Sequence, residues 1–269
     1  MESIKINNNT YYIDKELKPG SQKKIFLCHD SNDEKVIVKT VSFNQLFEVE
    51  RVYREVVLLE GANSIFLPKI IEHHLSVEDK KYYIVEEYIK GQDLLKNKTY
   101  FDSEDKIIQL IYDISVGLKP IWDQDIVHRD IKPEHIFIRE ESVKPVIIDF
   151  GIARFAGKDS ITRLENSPIP HTKNYAAPEI LKGENDLISI RTDFFNLGII
   201  AYELLTGRHP FDCNNNTIEE NIKIGSHSVV EGSLAFKKFI LKLIASLPFK
   251  RFKNADSIMD FIKAYWEVQ

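Results

Sequence analysis

His128-Arg129-Asp130-Ile131-Lys132-Pro133-Glu134-His135, followed downstream by Asp149-Phe150-Gly151, is the stretch that decides how this chain reads. Apolar runs border both aspartates: Ile126-Val127 before the first, Ile136-Phe137-Ile138 after it, and Val146-Ile147-Ile148 before the second. Such β-branched and aromatic runs predict short strands. A lone aspartate at a strand end is ordinarily a turn residue. For Asp149 that reading is weaker, because it directly follows a predicted strand.

Upstream, residues 10–41 read as strands, with Lys24-Ile25-Phe26-Leu27-Cys28 and Val36-Ile37-Val38-Lys39-Thr40-Val41 divided by the turn cluster His29-Asp30-Ser31-Asn32-Asp33. Apolar residues then recur at helical spacing over 44–60. Strand character returns over 70–75 and 82–88, around the turn Glu78-Asp79-Lys80-Lys81. After Gly91 the pattern is mostly helical. Ser103-Glu104-Asp105 predicts the cap of a helix whose apolar face is Ile107, Ile108, Ile111, Ile114 and Leu118, perturbed late by Lys119-Pro120. Residues 154–172 read as a long polar loop. Helices are predicted over 193–206, 233–246 and 254–267. A strand-rich first third before a helix-rich remainder gives an α+β class in two lobes, divided near Tyr88–Gln92.

The chain has 269 residues, 43% hydrophobic and 29% charged, with a formal net charge of −5. These values suit an ordinary globular chain, as one two-lobed domain or two small domains. Mild acidity and the absence of a Lys/Arg block argue against a nucleic-acid or membrane partner. Cys28 and Cys213 lie in no metal or CxxC pattern, so reduced thiols and a cytoplasmic location are expected. The N-terminus opens no signal-peptide core, and the apolar run at 197–202 is far short of the ~20 residues that span a bilayer.

The opening stretch resembles the catalytic and metal-binding loops of eukaryotic-type protein kinases, whose pattern is H-R-D-L-x-x-x-N and then D-F-G. The resemblance extends over roughly residues 11–267. Lys39 ends a V-x-x-K strand, Thr172-Lys173-Asn174-Tyr175-Ala176-Ala177-Pro178-Glu179 resembles the T-x-x-Y-x-A-P-E segment, and Asp193 precedes Phe194-Phe195-Asn196-Leu197-Gly198. The resemblance implies a two-lobed fold, ATP with Mg²⁺ or Mn²⁺, and a protein substrate with a Ser or Thr acceptor. Phosphoryl transfer asks a protein mainly to position groups and to stabilise charge. By the resemblance, Asp130 is the catalytic base and Lys132 its serine/threonine-type neighbour. Lys39 holds the α- and β-phosphates, with Glu55 as its partner and Glu50 or Glu48 as substitutes. Asp149 binds metal. Gly20, Ile25 and Ile37 cover the nucleotide, the backbone of Glu87-Tyr88-Ile89 meets adenine, and Asp93 reaches the ribose while also suiting a helix cap. Glu179 and Arg251 form a buried ion pair, and Asp193 braces the catalytic loop. Ser160, Thr162 and Ser167 are the phosphosites to consider, with Arg129 as a phosphate partner.

Three departures stand out. Lys18-Pro19-Gly20-Ser21-Gln22-Lys23 keeps one glycine of the glycine-rich loop. Glu86 occupies a place before the hinge that is normally apolar or Thr, and a carboxylate there needs a partner or water. His135 replaces the metal-binding Asn, an imidazole nitrogen in place of a hard amide oxygen. His135 thus binds a metal such as Mn²⁺, or leaves Asp149 to hold one ion, or marks an inactive site. The leading expectation is an active Ser/Thr protein kinase; the alternatives are a nucleotide-binding pseudokinase and a small-molecule phosphotransferase.

Overall fold

A computed structural model of the chain describes residues 2–18, 23–150, 154–155, 172 and 174–267, with the backbone alone described at 18, 46–48, 51, 55, 154 and 155. Two compact units follow each other, Met1–Lys90 and Gly91–Gln269.

The first unit begins with β1 (Ser3–Ile6), β2 (Asn9–Lys18), β3 (Lys23–His29) and β4 (Lys35–Ser42), continues through α1 (Leu46–Ala62), and ends with β5 (Ile70–Ser76) and β6 (Lys81–Glu87). The strands form an antiparallel sheet of order β1-β2-β3-β4-β6-β5. Sequence reading missed β1, which is four residues long; the signal lay in Asn7-Asn8, a two-residue hairpin loop with Asn7 at φ +50°. Side chains alternate across the sheet. Cys28, Val36, Val38, Tyr83 and Val85 pack with Ile6 and Tyr11 as a core on one face. The opposite alternation carries Ile25, Ile37, Lys39, Ile84 and Glu86, since Ile25 and Ile84 lie opposite Lys39 and Glu86 lies opposite Ile37. Glu72 on β5 takes side-chain hydrogen bonds from Asn7 and Asn9, each at 2.9 Å, and from Tyr11. The two margins of the sheet are thereby clasped, and the sheet curls.

The second unit starts with β7 (Gly91–Asp93) and α2 (Leu94–Asn97), which sequence reading did not separate from the loop. In α3 (Glu104–Trp122) the Ser103 hydroxyl accepts from Lys106 N, and the five predicted apolar positions are all buried. Pro120 lies in the last turn of this helix, which ends two residues later at Trp122. Then come β8 (Ile126–Val127), β9 (Ile136–Arg139), β10 (Pro145–Ile147) and β11 (Arg154–Phe155). β11 pairs with β8, so the first two residues of the expected loop are a strand; residues 156–171 lie outside the described residues. The helices α4 (Pro178–Leu181), α5 (Ile190–Thr206), α6 (Ile218–Ile224), α7 (Leu234–Leu243) and α8 (Ala255–Glu267) complete the unit. Helix α5 is its buried axis, with Phe194, Phe195, Leu197, Ile199 and Ile200 all at 0% exposure.

Candidate active site

The second unit places residues 128–130 directly after β8. His128, Arg129 and Asp130 are all buried. Their backbone does not continue the strand, because Arg129 takes a left-handed φ of +70°. What holds the loop there is Asp193, in the first turn of α5. Its Oδ1 accepts from Arg129 N at 2.8 Å, and its Oδ2 accepts from His128 N and Trp122 Nε1 at 2.8 Å each. Burial pushes the Asp193 carboxyl up to about 6, opposed by these N–H bonds. The bracing role expected for Asp193 is thus present as geometry.

Asp130 stands at the centre of a side-chain network. Lys132 Nζ lies 3.1 Å from Asp130 Oδ2 and donates to Thr172 Oγ1 at 2.7 Å. The Thr172 hydroxyl in turn donates to Asp130 Oδ1. Thr172 was noticed in the sequence only as the first residue of a motif; its pairing with Asp130 across 42 positions leaves no periodic trace. His135 Nδ1 lies 2.8 Å from the Asp130 carbonyl, which can only accept. Nδ1 therefore carries the hydrogen, and Nε2 presents its lone pair 3.8 Å from Asp149 Oδ2. Burial, and then the Lys132 charge, lower the His135 pKa, so the ring is neutral near pH 7. Asp149 takes a left-handed φ of +64°, and the Phe150 ring packs 4.6 Å from that of His128.

The segment leading into α4 is anchored at several points. Arg251 and Glu179 form the expected buried pair, with Nη1–Oε1 at 2.8 Å and Nη2–Oε2 at 2.9 Å. Tyr175 donates its hydroxyl to Glu203 Oε2 at 2.7 Å, and its carbonyl accepts from Asn196 Nδ2 at 2.5 Å. His209 Nε2 lies 3.0 Å from the Asn174 carbonyl, while its Nδ1 accepts from Phe211 N at 3.2 Å. Burial lowers the His209 pKa to about 4. Asp93 caps α2 by accepting from Lys96 N, as its alternative reading allowed.

In the first unit, Lys39 is 5% exposed and donates to Glu86 Oε1 at 2.6 Å. The anomalous carboxylate at position 86 thus has its partner. Glu50, one of the substitute partners, pairs with Arg54 at 2.6 Å. The side chains of Glu55 and Glu48, and all of Gly20, lie outside what is described, as do Ser160, Thr162 and Ser167. Ile25 and Ile37 are half-buried on the Lys39 side of the sheet, and Ile89 is buried. Glu87 N donates to the Lys69 carbonyl at 2.9 Å, and the Glu87 carboxylate accepts from Lys69 N at 3.0 Å.

Among the described residues, no three His, Cys, Asp or Glu side chains gather as a metal site, and no helix is long and apolar enough to cross a membrane. The family model described as the protein kinase domain matches residues 11–266. Human serine/threonine-protein kinase Nek5 is 34% identical over 213 residues, covering 76% of this chain and 29% of that protein. Serine/threonine-protein kinase PrkC of Bacillus subtilis (strain 168) is 29% identical over 280 aligned residues, 96% of this chain and 40% of its own. A probable serine/threonine-protein kinase of Clostridium acetobutylicum is 28% identical over 266 residues, 94% of this chain and 39% of its own. The chain spans less than half the length of these relatives. A family match running through the β-rich unit and the helical one, over an α+β fold with this loop geometry, places the chain among the protein kinase domains.

Proposed function

We propose that this chain is an ATP-dependent protein kinase that transfers the γ-phosphoryl group to Ser or Thr hydroxyls of a protein substrate and also phosphorylates itself. Residues 1–269 act as one kinase domain, with 87–92 as its hinge. The observation that carries this reading is the setting of Asp130: its carboxylate lies between Lys132 and Thr172, in a loop clamped by Asp193. A carboxylate held this way can orient an incoming hydroxyl and accept its proton. Lys132 offers a cation beside the same reacting oxygen, stabilising charge that builds there. Lys39 holds the α- and β-phosphates. Since Glu87 N–H is given to Lys69, adenine contact from Glu87 goes through its carbonyl, with Ile89 following. Asp93 serves the ribose from its capping position.

Mg²⁺ or Mn²⁺ fits the donor set of Asp149 and His135, and when bound would neutralise phosphate charge. The lone pair of His135 Nε2 faces an Asp149 oxygen, and two electron-rich atoms so placed suit a cation shared between them. Imidazole is the softer donor, which favours Mn²⁺ over Mg²⁺. Thiols free of any disulfide, at Cys28 and Cys213, fit a cytoplasmic setting.

The test is incubation with γ-labelled ATP and either Mg²⁺ or Mn²⁺, with Asp130→Ala as control. Label on protein Ser or Thr is expected, reduced about 10²–10⁴-fold in the control. Nucleotide binding without label under either metal would mean a pseudokinase, and label confined to a small molecule would mean a different phosphotransferase. His135→Asn is expected to move the Mn²⁺/Mg²⁺ activity ratio towards Mg²⁺; an unchanged ratio removes His135 from the metal site.

A further inference from the structure

The ion pair of Lys39 and Glu86 joins two neighbouring strands of one sheet. In the β4–β6 ladder Glu86 lies opposite Ile37 and Lys39 opposite Ile84, so the two charged side chains sit diagonally on one face. Both strands are central, β4 between β3 and β6, and β6 between β4 and β5. Seven consecutive backbone pairs, from Val36↔Glu87 to Ser42↔Lys81, fix their register. The Lys39–Glu86 separation is therefore set by the ladder, not by the placement of a helix or loop. The side chains are 6% and 5% exposed, so neither charge is satisfied by bulk water. At 2.6 Å the contact is a charge-assisted hydrogen bond that directs one of the three N–H donors of the ammonium group.

We propose that Glu86 is a positioning residue for Lys39: a carboxylate built into the sheet that fixes the direction of the ammonium group towards the nucleotide phosphates, whatever α1 contributes. Lysine is a point charge on a flexible four-carbon stem, and without a fixed partner its head samples several rotamers. A partner held by strand register removes that freedom before nucleotide arrives, which is preorganisation. The inference rests on the kinase reading, because it takes Lys39 as the phosphate contact.

The test measures ATP and adenosine affinity by calorimetry in the full chain, with thermal melting of every variant. Adenosine lacks the phosphates that Lys39 would hold. In Glu86→Leu the ATP Kd is expected to rise at least tenfold while the adenosine Kd stays within threefold, and Glu86→Asp is expected to recover part of the loss. Glu86→Gln, of the same shape, serves should the Leu variant fail to fold, with a smaller rise expected for ATP alone. In a Lys39→Met background Glu86→Leu is expected to add no further loss of ATP affinity. An unchanged ATP Kd, an equal loss of adenosine and ATP, or an undiminished effect in the Lys39→Met background each overturns the proposal. Wild-type protein that binds ATP no better than adenosine overturns the phosphate role of Lys39, and the inference with it. Phosphotransfer by wild-type protein, measured alongside, reports separately on the kinase reading.

Discussion

Arg129 and Asp149 both hold left-handed backbone, at φ +70° and +64°. For residues with a Cβ this conformation costs on the order of 1–3 kcal/mol each. At Arg129 the cost is offset by Asp193, which takes the N–H groups of His128 and Arg129 into one carboxylate. Replacing Asp193 by Asn substitutes a donor for one acceptor oxygen inside this clamp. Asp193→Asn is expected to lower unfolding free energy by about 2–4 kcal/mol in urea titrations. It should also depress kcat, because the Asp130 loop loses its tether. Thr172→Val removes the hydroxyl shared by Asp130 and Lys132, and kcat should fall about tenfold, the worth of one hydrogen bond to a charged group. Thr172→Ser should restore most of it; equal kcat in Val and Ser variants would show that the hydroxyl does nothing. Asp130, Asp149 and Asp193 were singled out in the sequence as candidates because each stands in a local pattern. Glu86 as partner of Lys39, Thr172 as partner of Asp130 and His209 as partner of the Asn174 carbonyl were not. Each depends on strand register or on a contact between distant segments, which no local window contains.

At the scale of elements, α5 is anchored near its start and closely packed at its middle. Near its start, Glu179 receives two hydrogen bonds from Arg251 and one from Thr192 Oγ1 at 2.8 Å. A buried pair is weak evidence for stability, yet breaking it by removing one partner leaves an uncompensated charge. Arg251→Met is expected to cost about 3–5 kcal/mol, and the double variant Glu179→Leu/Arg251→Met much less, in chemical denaturation. Further along α5, a Cβ at Gly198 would lie 2.6 Å from Ile244 Cγ2 and 2.7 Å from Leu243 Cβ. Gly198→Ala should therefore force α7 outward and cost about 1–3 kcal/mol, against the gain in helix propensity that Ala ordinarily brings. The long helices were legible because their apolar periodicity runs for several turns. Helix α2, strand β1 and strand β7 were not: at four, four and three residues they are too short to show a period, and unlike β8, β9 and β10 they border neither aspartate motif.

For the whole molecule, stability should depend on pH through a few buried groups. Burial lowers the pKa of both His128 and His209 to about 4. Unfolded histidine titrates near 6.5, so between these values the unfolded chain binds more protons. Their contribution is fully present above pH 6.5 and is lost as pH falls towards 4, by at most about 3 kcal/mol each. Asp193, raised to about 6, works in the opposite sense: its term favours the fold below the unfolded carboxylate value and is lost as pH rises through 6. The loss from His128 and His209, to which His135 adds in the same direction, outweighs the opposite effect of Asp193 and Glu203, and predicts a melting temperature that falls between pH 7 and pH 5. His209→Gln should flatten that slope. A slope identical to wild type would show that His209 is not held neutral by burial. Composition allowed a globular chain, and the order of strand-like and helix-like segments an α+β class, to be read at once, but not this acid sensitivity, which follows from which histidines end up enclosed.

The Asp193 clamp also makes the Asp130 loop visible to light. The chain has two tryptophans, and Trp122, 1% exposed, donates its indole N–H to the same carboxylate that holds His128 and Arg129. Loosening of the loop, or protonation of Asp193 near pH 6, changes the charge beside that indole. In a Trp266→Phe background, fluorescence emission reports the state of the clamp without any label, and can be followed during nucleotide addition on the same time axis as turnover.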